Sequence, residues 1–228
     1  MIAMIVYHFF WDLGYFNFIE LEYMTNGLPL VIAQCIGASF IVISGISFRL
    51  ASLSDNFTHK FLKRLIILIF ICLIITSITF FLDQKSFIFF GILHFLATCS
   101  IIGLLSLKIK NNYLFLILFM CSFVVGTSEI TFDLPGYLSW IGLNTKVPIT
   151  NDFYPLFPWI SFYFFGLWVS DPVRNYLLKY NEKNFYRHYS FNFVYKSLQF
   201  LGRNSLPIYI LHQPIFFSLL LIFIRISS

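Results

Sequence analysis

Three histidines stand inside apolar runs of this chain: His8 in "MIVYHFFWD" (4–12), His94 in "GILHFLATC" (91–99) and His212 in "NSLPIYILHQP" (204–214). Ionisable groups in such runs are costly in lipid and usually face an internal cavity or pathway. Asp12 follows His8 at i, i+4, which puts the two side chains on one helix face. A carboxylate that accepts from one ring nitrogen fixes the tautomer and leaves the other nitrogen free as a base. The competing reading has Asp12 solvated at an interface beside Trp11. At the helical rise, His94 and His212 each fall roughly 10 Å into their runs, and the three imidazoles are expected to line one polar cavity near mid-bilayer. Tyr209, His212 and Gln213 lie on adjacent faces of the last run. Asn204 and Ser205 suit its N-cap, with Pro207 in the first turn and Pro214 expected to kink it. Arg203 beside that helix start makes either an anion site or a topology anchor. The histidines show no HxxxH or HxxE spacing, and no phosphate loop or GxSxG elbow occurs, so no metal site is expected.

The elements that must position these groups are membrane helices. Of 228 residues, 59% are apolar and 11% charged, with a mean hydropathy of +0.82, whereas soluble domains carry about 25% charged residues. Apolar runs at 1–18, 28–52, 61–82, 87–107, 112–127, 153–170 and 205–225 alternate with short polar turns and lack dyad alternation. They predict an all-α polytopic bundle of about seven transmembrane helices. The run at 112–127 is short for a full crossing. Placing the N-terminus inside puts Arg49, Lys60, Lys63, Arg64, Lys108, Lys110, Arg174, Lys179, Lys183, Arg187, Lys196 and Arg203 on the cytoplasmic side, 12 of the 15 basic residues. The expectation is therefore N-terminus in, C-terminus out.

Residues 1–228 read as a single integral membrane domain without a soluble module. The net charge of +5 follows from the cytoplasmic bias and would favour anionic head groups or a phosphorylated ligand, not nucleic acid. Cys35, Cys72, Cys99 and Cys121 all fall within apolar runs, which argues for packing over a disulfide framework. No basic n-region marks a cleaved signal peptide. The connection 128–152 reads as an ordered outer loop with Trp140 near the interface, and "FNFVYKSLQFL" (191–201) as a short helix lying flat on the inner face. Gly37, Ala38, Ser39, Ser44, Gly45 and Ser47 favour close helix packing over a ligand-facing role.

"MIVYHFFWDLGYF" (4–16), "FIVISGISFRL" (40–50), "GILHFLATCSIIGL" (91–104), "DFYPLFPWISFYFFGLWV" (152–169) and "LGRNSLPIYILHQP" (201–214) together resemble the bacterial relatives of heparan-alpha-glucosaminide N-acetyltransferase. The resemblance runs in order across nearly the whole chain. It implies a multi-span acyltransferase, in a bacterial cytoplasmic membrane, that takes acetyl from cytoplasmic acetyl-CoA and gives it to a glycan or other polar acceptor across the bilayer. It also implies that His8 matches the acetyl-transfer histidine, either deprotonating the acceptor or carrying the acetyl itself. CoA phosphates would meet Arg49 and Arg203, with Asn204 and Ser205 at the helix start. His94, His212 and Gln213 would line the cavity, and Asp12 and Asp152 would hold the acceptor. Family members generally begin with an Asp/Leu-Arg-Gly stretch ahead of the first helix, and the sequence departs from that pattern by starting at Met1 without it, as a misassigned start or a truncated product would. An in-frame Arg-Gly segment in the DNA upstream of Met1 would distinguish the two. A proton-coupled transporter using the histidines as a relay is the alternative, lowered by the lack of internal repeats; a scaffold without chemistry is a third reading. Oligomeric state is not readable from the sequence.

Overall fold

The structure is a computed structural model that describes residues 1–20, 22, 24, 26–179 and 193–227. Its regular structure, among those residues, is helical: α1 (Ile2–Tyr15), α2 (Gly27–Ala51), α3 (Phe57–Leu82), α4 (Ile92–Ser106), α5 (Tyr113–Thr127), α6 (Leu156–Lys179), α7 (Phe193–Arg203) and α8 (Ser205–Ser227), with one 3-10 turn at Gly136–Ile141. Each apolar run of the sequence overlaps one of these helices. Three are long and apolar enough to cross a membrane: Gly27–Ala51, Phe57–Leu82 and Ser205–Ile226. α4 and α5, at 15 residues each, span only about 22 Å of a hydrocarbon core about 30 Å thick. Lys183 and Arg187 of the expected cytoplasmic set lie outside the described residues, as do the first two residues of the expected 191–201 helix. The rest of that helix is α7.

The chain forms two compact units, Met1–Gly37 with Leu177–Ser228, and Ala38–Tyr176. In the first, α1 packs on α8 through rings. Phe9 meets Phe216 at 5.4 Å between centroids, Phe16 meets Phe217 at 4.8 Å, and Phe18 meets Phe223 at 6.3 Å. Numbers rise together along both helices, so α1 and α8 run parallel.

In the second unit, Ile41, Phe95, Phe115 and Leu167 are fully buried. There the small-residue stretch of α2 serves packing. A Cβ on Gly45 would lie 2.5 Å from the Tyr163 carbonyl oxygen and 3.0 Å from the Leu167 nitrogen, and one on Gly166 would lie 3.2 Å from the Gly45 Cα. Two backbones touch at that crossing, as small residues allow in membranes.

The connection 128–152 is ordered, as the sequence led us to expect. Asn144 clasps it: its Nδ2 donates to the Leu134 carbonyl (3.0 Å) and to the Ser139 hydroxyl (2.8 Å), while its Oδ1 accepts from the Leu134 N–H (3.3 Å). Trp140 packs on Phe90 with 5.4 Å between centroids. The Lys146–Asp133 pair, 3.7 Å apart and over 80% exposed on one side chain and 80% on the other, adds little.

Candidate functional site

The parallel course of α1 and α8 brings the sixth residue after Ile2 beside the seventh after Ser205, because both helices reach the same level one to two turns in. Those residues are His8 and His212, whose ring centroids are 5.0 Å apart. The sequence led us to expect the histidines in one cavity, and the structure makes these two neighbours. Tyr7 meets the His8 ring edge-on at 5.9 Å. Phe216 meets the His212 ring in the same way at 6.4 Å.

The tautomer of His212 follows from its partners. Its Nδ1 lies 2.8 Å from the Tyr209 carbonyl oxygen and 3.2 Å from that of Ile208. Carbonyl oxygens only accept, so Nδ1 carries the proton and Nε2 presents a lone pair. That Nε2 is buried and has no hydrogen-bond partner among the described residues; neither has Nδ1 of His8. Each imidazole could in principle satisfy the other, and neither does.

Asp12 is where the hydrogen bonding differs from expectation. It is 1% exposed, which rules out a solvated carboxylate at an interface. Its hydrogen-bond partner is the Gln213 side chain on α8, and no bond joins it to His8. α8 lies beside this stretch of α1, with His212 against His8 and Gln213 next along the chain. Asp12 therefore does not set the tautomer of His8. Its Oδ2 has no partner among the described residues. A buried carboxylate with a single neutral donor costs stability, so packing alone gives no reason for an aspartate there. Intramembrane acids of this kind mark functional sites.

His94 and Asp152 belong to the second unit and sit at one helix start. α4 begins at Ile92, not at residue 87, so His94 lies in its first turn and not two turns into a helix. Residues 86–90 instead pair with 150–154. Thr150 donates to the Phe87 carbonyl (2.8 Å), the Asn151 N–H to that of Ser86 (3.1 Å), and the Tyr154 N–H to that of Phe90 (3.2 Å). The His94 ring is engaged at both nitrogens. Nδ1 accepts from the Gly91 N–H (3.3 Å), so Nε2 donates to the Thr76 hydroxyl (3.0 Å), which donates to the Ile88 carbonyl (2.8 Å). That is the pattern of a structural histidine.

Asp152 Oδ2 accepts from the Ile92 N–H at 2.9 Å, a carboxylate on a helix N-terminus. It crowds Gly91 so closely that a Cβ there would strike it. Burial pushes its carboxyl up from 3.8 to about 6, against the opposing pull of the Ile92 N–H. A raised acid pKa means the folded state holds its proton longer than the unfolded state. This contribution is full below about pH 4 and is lost as pH rises through about 6. Asp152→Asn, which keeps an acceptor for Ile92, should flatten thermal stability between pH 4 and 7. Asp152→Ala, which cannot titrate either, should be equally flat over that range and should lose the cap as well, at a cost of about 1 kcal/mol relative to Asp152→Asn. Melting curves of detergent-solubilised protein that keep the wild-type pH slope in Asp152→Asn would contradict this assignment. In the turn before α4, the Ser86 hydroxyl and Lys85 amide hold the Asp83 carboxyl below its usual range.

The four residues expected at CoA stand at helix ends. Arg49, near the end of α2, lays its guanidinium 5.8 Å from the Phe115 ring centroid, one turn beyond Asn112 on α5. Arg203 is exposed in the last turn of α7. Asn204 does not cap α8 with its side chain: its Nδ2 donates back to the Phe200 carbonyl of α7 (2.9 Å), while its own carbonyl accepts from the Ile208 N–H (3.1 Å). Ser205 opens α8.

The family described as "Heparan-alpha-glucosaminide N-acetyltransferase, catalytic" matches residues 1–214. Neither the curated proteins nor the solved structures gave a match.

Proposed function

Because the chain belongs to the heparan-alpha-glucosaminide N-acetyltransferase catalytic family, a family of membrane acetyltransferases, we propose that it moves an acetyl group from cytoplasmic acetyl-CoA to a glycan or other polar acceptor across the bilayer. The observation that carries this reading at the level of residues is the His8–His212 pair, 5.0 Å between ring centroids, with a buried, partnerless nitrogen on each ring. Two imidazoles that ignore each other are placed to address a third molecule. His8 acts on the acetyl group, as base or as its carrier. Asp12, locked to Gln213, has a free oxygen for a polar acceptor. Arg49, Arg203 and the α8 start at Asn204 and Ser205 are the candidates for the CoA phosphates. His94 and Asp152 shape the start of α4 instead of reacting.

Seven crossings with the N-terminus inside are consistent with a parallel α1 and α8, since two parallel end spans require an odd number of crossings. The loop 128–152 then lies outside.

The test is transfer by purified protein in sealed vesicles, with radiolabelled acetyl-CoA outside and glucosamine trapped inside. Labelled N-acetylglucosamine is expected in the lumen while CoA stays outside. Label that never reaches an acceptor, or reaches only acceptor on the donor side, would overturn the proposal.

A further inference from the structure

The division of labour between the two imidazoles can be read from their hydrogen bonds. His8 has no hydrogen-bond partner at Nδ1 among the described residues, so no contact there holds a proton on that nitrogen. His212 is the opposite case. The Tyr209 carbonyl at 2.8 Å holds its Nδ1–H, leaving Nε2 as a lone pair that can only accept. The ring is 7% exposed and wedged between the His8 and Phe216 rings. An acceptor atom buried without a donor is expensive. It is well spent only if something with an O–H or N–H arrives there.

We propose that His212 is the general base for the acetyl acceptor and that Asp12 with Gln213 is the clasp that sets its distance from His8. The inference rests on the acyl-transfer reading above and, of the two roles open to His8, gives the acceptor's proton to His212 and leaves His8 to hold the acetyl group. In the step, the acceptor oxygen or nitrogen forms a bond to the acetyl carbonyl carbon as its proton passes to His212 Nε2. The bond from that carbon to its previous holder then breaks. The departing atom, whether the CoA sulfur or an imidazole nitrogen of His8, takes the proton back from His212. Atoms and charge balance, and both histidines end neutral. Gln213 adjoins His212 on α8 and its amide holds Asp12 one turn beyond His8 on α1. That contact and the Phe9–Phe216 and Phe16–Phe217 ring pairs together hold the register in which the two histidine rings stand side by side.

His212→Asn separates the two functions of the ring, because its Nδ2 can still donate to the Tyr209 carbonyl while the Nε2 lone pair is gone. With radiolabelled acetyl-CoA and glucosamine as the probe, His212→Asn should bind acetyl-CoA as wild type does and transfer acetyl about 10²–10⁴-fold more slowly. Added imidazole should restore part of the rate in His212→Ala, a rescue that packing damage would not show and that reads out whatever fraction folds. Transfer by His212→Asn within threefold of wild type would overturn the proposal, as would a slow His212→Ala that imidazole fails to rescue. Loss of transfer in His8→Ala with full transfer in His212→Asn would reject this inference alone. Wild-type protein inactive toward the probe would reject the acyl-transfer reading and this inference with it.

Discussion

His8→Ala should abolish acetyl transfer and leave the protein folded. The variant removes one ring from a contact with His212 but keeps the neighbouring ring pairs, Phe9 with Phe216 and Phe16 with Phe217, that hold α1 on α8. Removal of a group that touches the reacting atoms in acid–base or nucleophilic roles costs about 10²–10⁴-fold in rate. The measurement is initial rate with radiolabelled acetyl-CoA, alongside a melting curve of the same preparation. A rate near wild type at unchanged melting temperature would remove His8 from the chemistry. If His8 carries the acetyl, wild-type protein given acetyl-CoA without acceptor should retain label through denaturation, and His8→Ala should not. If the acetyl passes directly from CoA to the acceptor, neither should.

The second large effect is structural. Gly45→Leu should separate α2 from α6, because the added Cβ meets main-chain atoms, the Tyr163 carbonyl oxygen and the Leu167 nitrogen, which cannot rotate away. Overpacking of that kind costs about 1–3 kcal/mol, and the effect should lie at the upper end because a whole helix must move. Gly166→Leu should behave alike, since its Cβ would press on the Val42 carbonyl. The check is a drop in melting temperature and loss of a monodisperse peak in detergent. By contrast, Gly136→Leu in the loop has no neighbour within 4 Å of the added Cβ and should melt as wild type. Equal behaviour of Gly45→Leu and Gly136→Leu would show that α2 and α6 do not touch as described.

Helix positions were largely legible because a lipid-spanning chain advertises them by apolar length. The pairing of His8 with His212 was half legible: both are ionisable groups in apolar runs and so expected at a shared cavity, but nothing local says that residues some two hundred apart will be neighbours. For the same reason the sequence offered Asp12 only the partner on its own helix, His8, and hid Gln213. His94 was misplaced for another cause. Residues 87–90 are apolar, so hydropathy extends the helix through them, whereas polar Thr150 and Asn151, sixty residues on, bond to the backbone of Phe87 and Ser86 in an extended pairing. Asn204 shows the limit of cap rules at a helix–helix junction, where one amide can serve either the helix ending or the helix beginning.

All the chemistry drawn here depends on α1 and α8 running side by side in the same direction. Cysteine pairs in a background with Cys35, Cys72, Cys99 and Cys121 replaced test that directly in native membranes with a short thiol cross-linker. Phe9→Cys with Phe216→Cys, and Phe18→Cys with Phe223→Cys, should both cross-link, matching ring separations of 5.4 and 6.3 Å. Phe9→Cys with Phe223→Cys should not. Cross-linking of that crossed pair, with both matched pairs silent, would set the helices antiparallel, part His8 from His212 and contradict the site.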